Sequence, residues 1–283
     1  MMGILRKRKI APSAGDDNGI KESLLGDDRY DSEGEGHGEP SPKRCRVTVL
    51  EQTLSYLTYI VGKVAELILP SWLPFGGGGK KLTDAQRQRL GDLTARLAVK
   101  YDQDAHGAQL ERLWGLAFPD LPFVEGKTKQ WQEMGWQGDH PSSDFRGGGF
   151  AALQNLIYFA ETKPLAFQRL CFKLQGKRSD WEYPFGAAGV NITFSLPKIL
   201  GLKGDASPST AAGRGFLALL DSCEQAFEEL FCLTFEVLDR VWLEEKADYM
   251  QFPVVMKKAE ERVAKALAKM PGSLDNLEAG LGL

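Results

Sequence analysis

FLALLDSCEQAFEELFCLTFEVLDRVW, residues 216–242, decides the fold class. Phe216, Leu220, Cys223, Phe227, Leu230, Thr234, Val237 and Val241 recur at alternating steps of four and three, the period of a helix face. A second row, Phe231, Phe235, Leu238 and Trp242, widens that face beyond the seam of a two-stranded coiled coil. The pattern predicts one long core helix that touches several neighbours.

The flanking sequence has the same character. After DYMQF, Pro253 suits the first turn of a helix. Val255, Ala259, Val263, Ala266 and Met270 would form its inner face, with Pro271 and Gly272 as the stop. Toward the N-terminus, LTDAQRQRLGDLTARLAVKYD opens with a capping box, Thr83 followed by Gln86 three positions later. Its stripe is Leu90, Leu93, Leu97 and Tyr101. A shorter helix carries Leu110, Leu113 and Ala117, and KTKQWQEMGW (127–136) suggests another. FAALQNLIYFA (150–160) is apolar nearly all round, which places it at the centre of a bundle. Pro164 starts the next helix, with Leu165, Arg169 and Phe172 in register. VNITF (190–194) is locally strand-like, but nothing nearby offers a pairing partner, so a helix is expected there too. The fold class is all-α: a single multi-helix bundle domain.

Four segments follow from composition. Residues 1–46 are rich in Gly, Ser, Pro and charge and almost empty of aromatics, so they read as a disordered tail. Residues 47–81 hold an apolar helix followed by the glycine linker GGGGKK. Residues 82–271 form the helical domain, and 272–283 a short tail. The 47–75 stretch is interrupted by Lys63 and Glu66 and ends at Pro70, which argues against a membrane span. Its two readings are a helix packed on the domain and an interfacial helix making peripheral membrane contact. In the second, Trp72 and Phe75 would anchor it, with charge from Arg44, Arg46, Lys80 and Lys81. A net charge of −3 gives no basic field for nucleic acid. Four scattered cysteines without a CxxC pair suggest a reduced, cytoplasmic protein without structural zinc. The charged opening MMGILRKRKIAPSAGDD does not suit a secretory signal.

Chemistry concentrates in GDHPSSDFRGGGFAALQNLIYF (138–159), where Arg146 stands between Asp144-Phe145 and three glycines. Gly147, Gly149 and Ala152 match a dinucleotide fingerprint in letters only, since no strand precedes them. His140, Ser142, Ser143 and Asp144 are too close in sequence for a catalytic triad, which distant parts of a fold assemble. His140 and Asp144 lack the further ligands a metal needs. Two readings of Arg146 stay open. Either its guanidinium is partly buried, paired with Asp144 or a backbone carbonyl, or the glycines thin the surface so that a partner and its nucleotide can reach it.

WQEMGWQGDHPSSDFRGGGFAALQNLIYFAE (131–161) resembles the signature of the ELMO (engulfment and cell motility) domain, W-x3-G-[FW]-Q-G…P-x-[ST]-D-F-R-G-x-G. With WEYPFGAAGVNITF (181–194) and AFEELFCLTFEVLDRVWLEEKADYMQF (226–252), the likeness is greatest to the plant branch with a single ELMO domain, and it covers roughly residues 82–270. The resemblance implies an all-helical domain with GTPase-activating activity toward small GTPases of the Arf and Arf-like group. It places the catalytic arginine at Arg146, presented by Trp136, Gln137, Gly138, Asp144, Phe145, Gly147, Gly148 and Gly149. No cofactor is implied in this chain, because GTP and Mg²⁺ would sit on the partner. The alternative is a non-catalytic adaptor for a small GTPase or its exchange factor, as in the longer family members, for whose full architecture this chain is short. His140 stands where many relatives are acidic. Gly148 stands where they carry a larger apolar residue, which implies a looser loop.

Overall fold

The computed structural model describes residues 81–178 and 182–283. The 1–46 tail, the 47–75 helix and the glycines of the linker lie outside the described residues. Among those described, nine α-helices and three short 3₁₀ helices are present and no strand. The all-α reading holds.

The first helix, α1 (Asp84–Leu97), begins with the expected capping box: the Gln86 N–H donates to Thr83 Oγ1 at 3.1 Å, and the Thr83 N–H donates to Gln86 Oε1 at 3.0 Å. Then come α2 (Gln103–Ala117), 3₁₀ helices at Lys129–Met134 and Pro141–Arg146, α3 (Gly149–Thr162), α4 (Pro164–Cys171) and α5 (Phe185–Leu200). VNITF therefore lies inside a helix, as expected. The chain continues through α6 (Ala211–Ser222), α7 (Ala226–Glu245), a 3₁₀ turn at Tyr249–Gln251, α8 (Phe252–Ala268) and α9 (Leu274–Leu281).

Two helices form the centre. In α7, 14 of 20 residues are buried, so it must meet neighbours around most of its circumference, and it packs on α3, α4, α5, α6, α8 and α9. Helix α3 packs on α1, α2, α4, α5 and α7. Its polar break is satisfied: buried Asn155 donates to Thr193 Oγ1 at 3.0 Å, and Thr193 passes the bond to the Gly189 carbonyl. Aromatic rings fill the space between the two, with Phe235 stacked on Phe185 at 4.7 Å and tilted against Phe159 at 5.7 Å.

The structure corrects four expectations. The long helix from Phe216 to Trp242 is two helices, with extended backbone at Cys223 (φ −139°, ψ 122°). No glycine or proline marks the break. Both halves instead pack on α8, where a would-be Cβ on Gly215 meets the Leu267 carbonyl oxygen at 1.9 Å, so α6 and α8 are pressed backbone to backbone. In α4, the Leu165, Arg169, Phe172 row does not form the inner face: Leu165 is 84% exposed and Arg169 pairs with Glu236 of α7 at 2.7 Å, while Phe167, Leu170 and Cys171 are buried. The Phe167 ring sets that rotation through edge contacts to Phe159 and Phe185. Met270 lies beyond the end of α8, exposed and at φ +58°, the left-handed residue that closes the helix ahead of Pro271, with its N–H donating to the Leu267 carbonyl at 2.9 Å. Finally, the expected tail after residue 271 contains α9, whose Leu277 is buried and which packs on α7 and α8.

Candidate functional site

Arg146 is the last residue of the 3₁₀ helix Pro141–Arg146. His140 caps that helix, its Nδ1 accepting the Ser142 N–H at 3.3 Å and lying 3.0 Å from Ser142 Oγ. Asp144 does not extend this into a triad: among the described residues its carboxylate makes no hydrogen bond to His140 or Ser142, and its Oδ2 is buried without a partner. Phe145 is the anchor. It is 1% exposed, stacked on Tyr101 at 4.6 Å and tilted against Trp136 at 5.0 Å. Burial, helped by the Asp102 charge, pushes the Tyr101 phenol up to about 12, so that ring stays neutral beside Phe145.

With Phe145 driven inward, the next side chain points out. Arg146 is exposed, and its Nε donates to the Ser143 carbonyl at 3.0 Å. Among the described residues no carboxylate lies within ion-pair distance of it, so four of the five guanidinium N–H donors remain for another molecule. Of the two readings, the carbonyl bond exists but the burial does not. The neighbouring carboxyl of Asp144 is half-buried and turned inward. Burial pushes it up, offset in part by the Gln137 N–H and the Arg146 charge.

The three glycines do different work. A Cβ on Gly149, at φ +60°, would sit 2.4 Å from the Val99 carbonyl oxygen, which also accepts the Phe150 N–H at 2.9 Å. One on Gly148 would meet Ala152 Cβ at 2.7 Å and the Val190 carbonyl oxygen at 3.2 Å. Both glycines are spent on the protein's own packing, and Gly148 marks a tight joint rather than a looser loop. Gly147 alone is exposed, at φ −81°, with only an ordinary contact to Val190 Cγ1 at 3.8 Å. Of the three, it is the one whose missing side chain leaves the surface open. Gly149→Ala is therefore expected to cost about 2 kcal/mol or more of stability, whereas Gly147→Ala should stay within about 0.5 kcal/mol, as read from urea midpoints.

The other expected site residues are supports. Trp136 is buried, Gln137 acts through its backbone, and Gly138 sits half-buried in the turn before His140. Sequence reading did not find Val99 or Val190, which hold the glycines from two other parts of the chain. Their only signal was hydrophobicity, which core residues share.

The fold and site together define an all-helical domain that presents Arg146, without an ion pair among the described residues, on a buried aromatic anchor. A sequence profile of the ELMO/CED-12 family matches residues 91–256, more than half of the chain, and the protein belongs to that family, whose members regulate small-GTPase signalling. It is similar to ELMO domain-containing protein A of Dictyostelium discoideum, at 32% identity over 67% of this chain and 21% of that protein. To ELMO domain-containing protein C of the same organism it is 31% identical, over 72% of this chain and 34% of the relative. To human ELMO domain-containing protein 1 it is 30% identical, over 64% of this chain and 60% of the relative. The chain thus spans a fifth to a third of the two Dictyostelium proteins. Among the described residues, no helix is long and apolar enough to cross a membrane.

Proposed function

We propose that this protein accelerates GTP hydrolysis on small GTPases of the Arf and Arf-like group, supplying Arg146 in trans to the transition state. The observation that carries the reading is the exposed, unpaired guanidinium of Arg146, tethered at Nε alone. GTP and Mg²⁺ are the partner's. The γ-phosphoryl oxygens gain charge as the bond to the leaving group lengthens, and a planar, always-charged fork can donate to two of them at once. The Nε tether restricts side-chain torsions before the partner arrives, which lowers the ordering cost of a flexible chain. Phe145 fixes the backbone beneath it, and Gly147 leaves room for the partner's main chain.

An arginine supplied in trans raises hydrolysis about 10³- to 10⁵-fold, or roughly 4–7 kcal/mol of transition-state stabilisation. Single-turnover GTP hydrolysis on a panel of purified Arf and Arf-like GTPases tests the proposal. At least one member should turn over on the order of 10³-fold faster with the protein than without it. Binding to a GTP-loaded member with no acceleration of any would make the protein an adaptor.

A further inference from the structure

On either side of the glycine triplet, an exposed apolar residue stands with a lysine that no carboxylate pairs among the described residues. One such pair is Val99, 43% exposed, and Lys100. Gly149 lies against both, since its Cβ would be 2.4 Å from the Val99 carbonyl oxygen and 3.9 Å from Lys100 Cα. The other pair is on α5. Val190 supports Gly147 and Gly148, and the exposed strip of that helix runs on from there as Asn191, Phe194 and Lys198. Phe194 is about one helical turn from Val190, roughly 6 Å along the axis. Its ring is 47% exposed, with Lys198 Nζ 3.5 Å from the centroid.

Beside Phe194 a groove of about 260 Å³ opens between α5 and α8, with Met256 on the far wall and Glu260 as the only carboxylate in its lining. That is below the roughly 300–1,000 Å³ of small-molecule pockets. It has room for one or two side chains of another protein. The chain as a whole carries a net charge of −3, yet among the described residues no carboxylate pairs with Lys100, Arg146 or Lys198 along this one stretch. Such an arrangement complements an acidic surface around a nucleotide.

We infer that the α5–α8 groove is the second contact of the GTPase that Arg146 serves, taking an apolar side chain of that partner beside Phe194 and a partner carboxylate on Lys198. The inference rests on the proposed function for the identity of the partner. It divides the labour on the surface: Arg146 acts on the rate once the complex is formed, and the groove acts on whether it forms.

The experiment titrates the protein into single-turnover hydrolysis by a responsive Arf-like GTPase, and in parallel measures binding to the panel loaded with a non-hydrolysable GTP analogue. Lys198→Glu and Phe194→Ser are expected to raise the half-saturating concentration on the order of tenfold, with the saturated rate within twofold of wild type. Arg146→Lys should do the reverse. The binding arm needs no hydrolysis, so the groove is tested even where the protein proves to be an adaptor. Both groove positions are surface sites, and an unchanged melting temperature verifies folding. Unaltered affinity in both groove variants would overturn the inference. So would a defect confined to the saturated rate, or an equal loss from Leu165→Ser, which lies on α4 outside the groove.

Discussion

Arg146→Lys is expected to remove nearly all acceleration of GTP hydrolysis, on the order of 10³-fold or more, while leaving the fold intact. Lysine keeps the positive charge but offers a compact ammonium in place of a planar fork, and it cannot reproduce the Nε bond to the Ser143 carbonyl. The side chain is exposed and makes no ion pair, so its replacement should change unfolding free energy by no more than about 0.5 kcal/mol. Two measurements on one preparation decide the matter: single-turnover rate and urea midpoint. A lysine variant as active as wild type would take Arg146 out of the mechanism. Loss of activity with several kcal/mol of lost stability would instead mark it as a structural residue.

The largest stability effect is expected elsewhere, at Asp239 on α7. Its carboxylate accepts Arg178 Nη2 at 2.6 Å, Arg178 Nη1 at 3.3 Å and the Tyr183 hydroxyl at 2.6 Å. Lys173 belongs to the same cluster. Its stem is half exposed, but its amine is enclosed over the Tyr183 ring, 3.1 Å from the centroid, and makes no hydrogen bond. Burial holds the Lys173 amine well below the usual lysine range, partly opposed by the Asp239 charge. Asp239→Ala would take from Arg178 its nearest carboxylate, leaving only Glu182 at 3.2 Å, and would leave the buried Tyr183 hydroxyl without its acceptor, at a cost of about 3–5 kcal/mol. Against a typical domain stability of about 5–15 kcal/mol, that is a large share. Replacing Arg178, Glu182 and Asp239 together with apolar residues of similar volume should cost less, because no member of the ion-paired group is then left without its partner.

The same cluster gives a pH dependence with a definite sign. Burial alone would raise the Asp239 carboxyl, but the hydrogen bonds from Arg178 and Tyr183, with the Lys173 and Arg178 charges, hold it below the ordinary carboxylate value. A depressed folded pKa means that protons bind the unfolded chain more readily. The stabilisation is complete above the unfolded value of about 3.9 and disappears as pH falls from there through the folded value. Acid unfolding of Asp239→Asn should accordingly be less steep over that range than that of wild type. Equal slopes would show that Asp239 contributes nothing to acid sensitivity.

Much of this molecule was legible in its residues. The Thr83–Gln86 box, Pro164 and Pro253 each announced a helix start through chemistry confined to one turn of backbone. The apolar circumference of residues 150–160 marked α3 as central, and Arg146 stood out in the ELMO signature. Where the reading failed, the deciding contact came from far along the chain. Nothing local breaks the helix at Cys223; the break follows from packing both halves on α8. Leu165 and Phe167 are equally apolar, and only the rings of Phe159 and Phe185 determine which turns inward.

The sequence by itself determined that this chain makes helices, roughly where they start, and which arginine carries the family signature. Those properties depend on neighbours within four residues, and periodicity and capping report such neighbours directly. Only the tertiary structure decided that Arg146 is exposed, that Gly148 and Gly149 serve internal packing while Gly147 faces outward, and that a groove on α5 continues from the same surface. Exposure depends on what lies across a gap in space. Here that was Val99 and Val190, each more than forty residues from Arg146 along the chain, and no pattern around Arg146 encodes them.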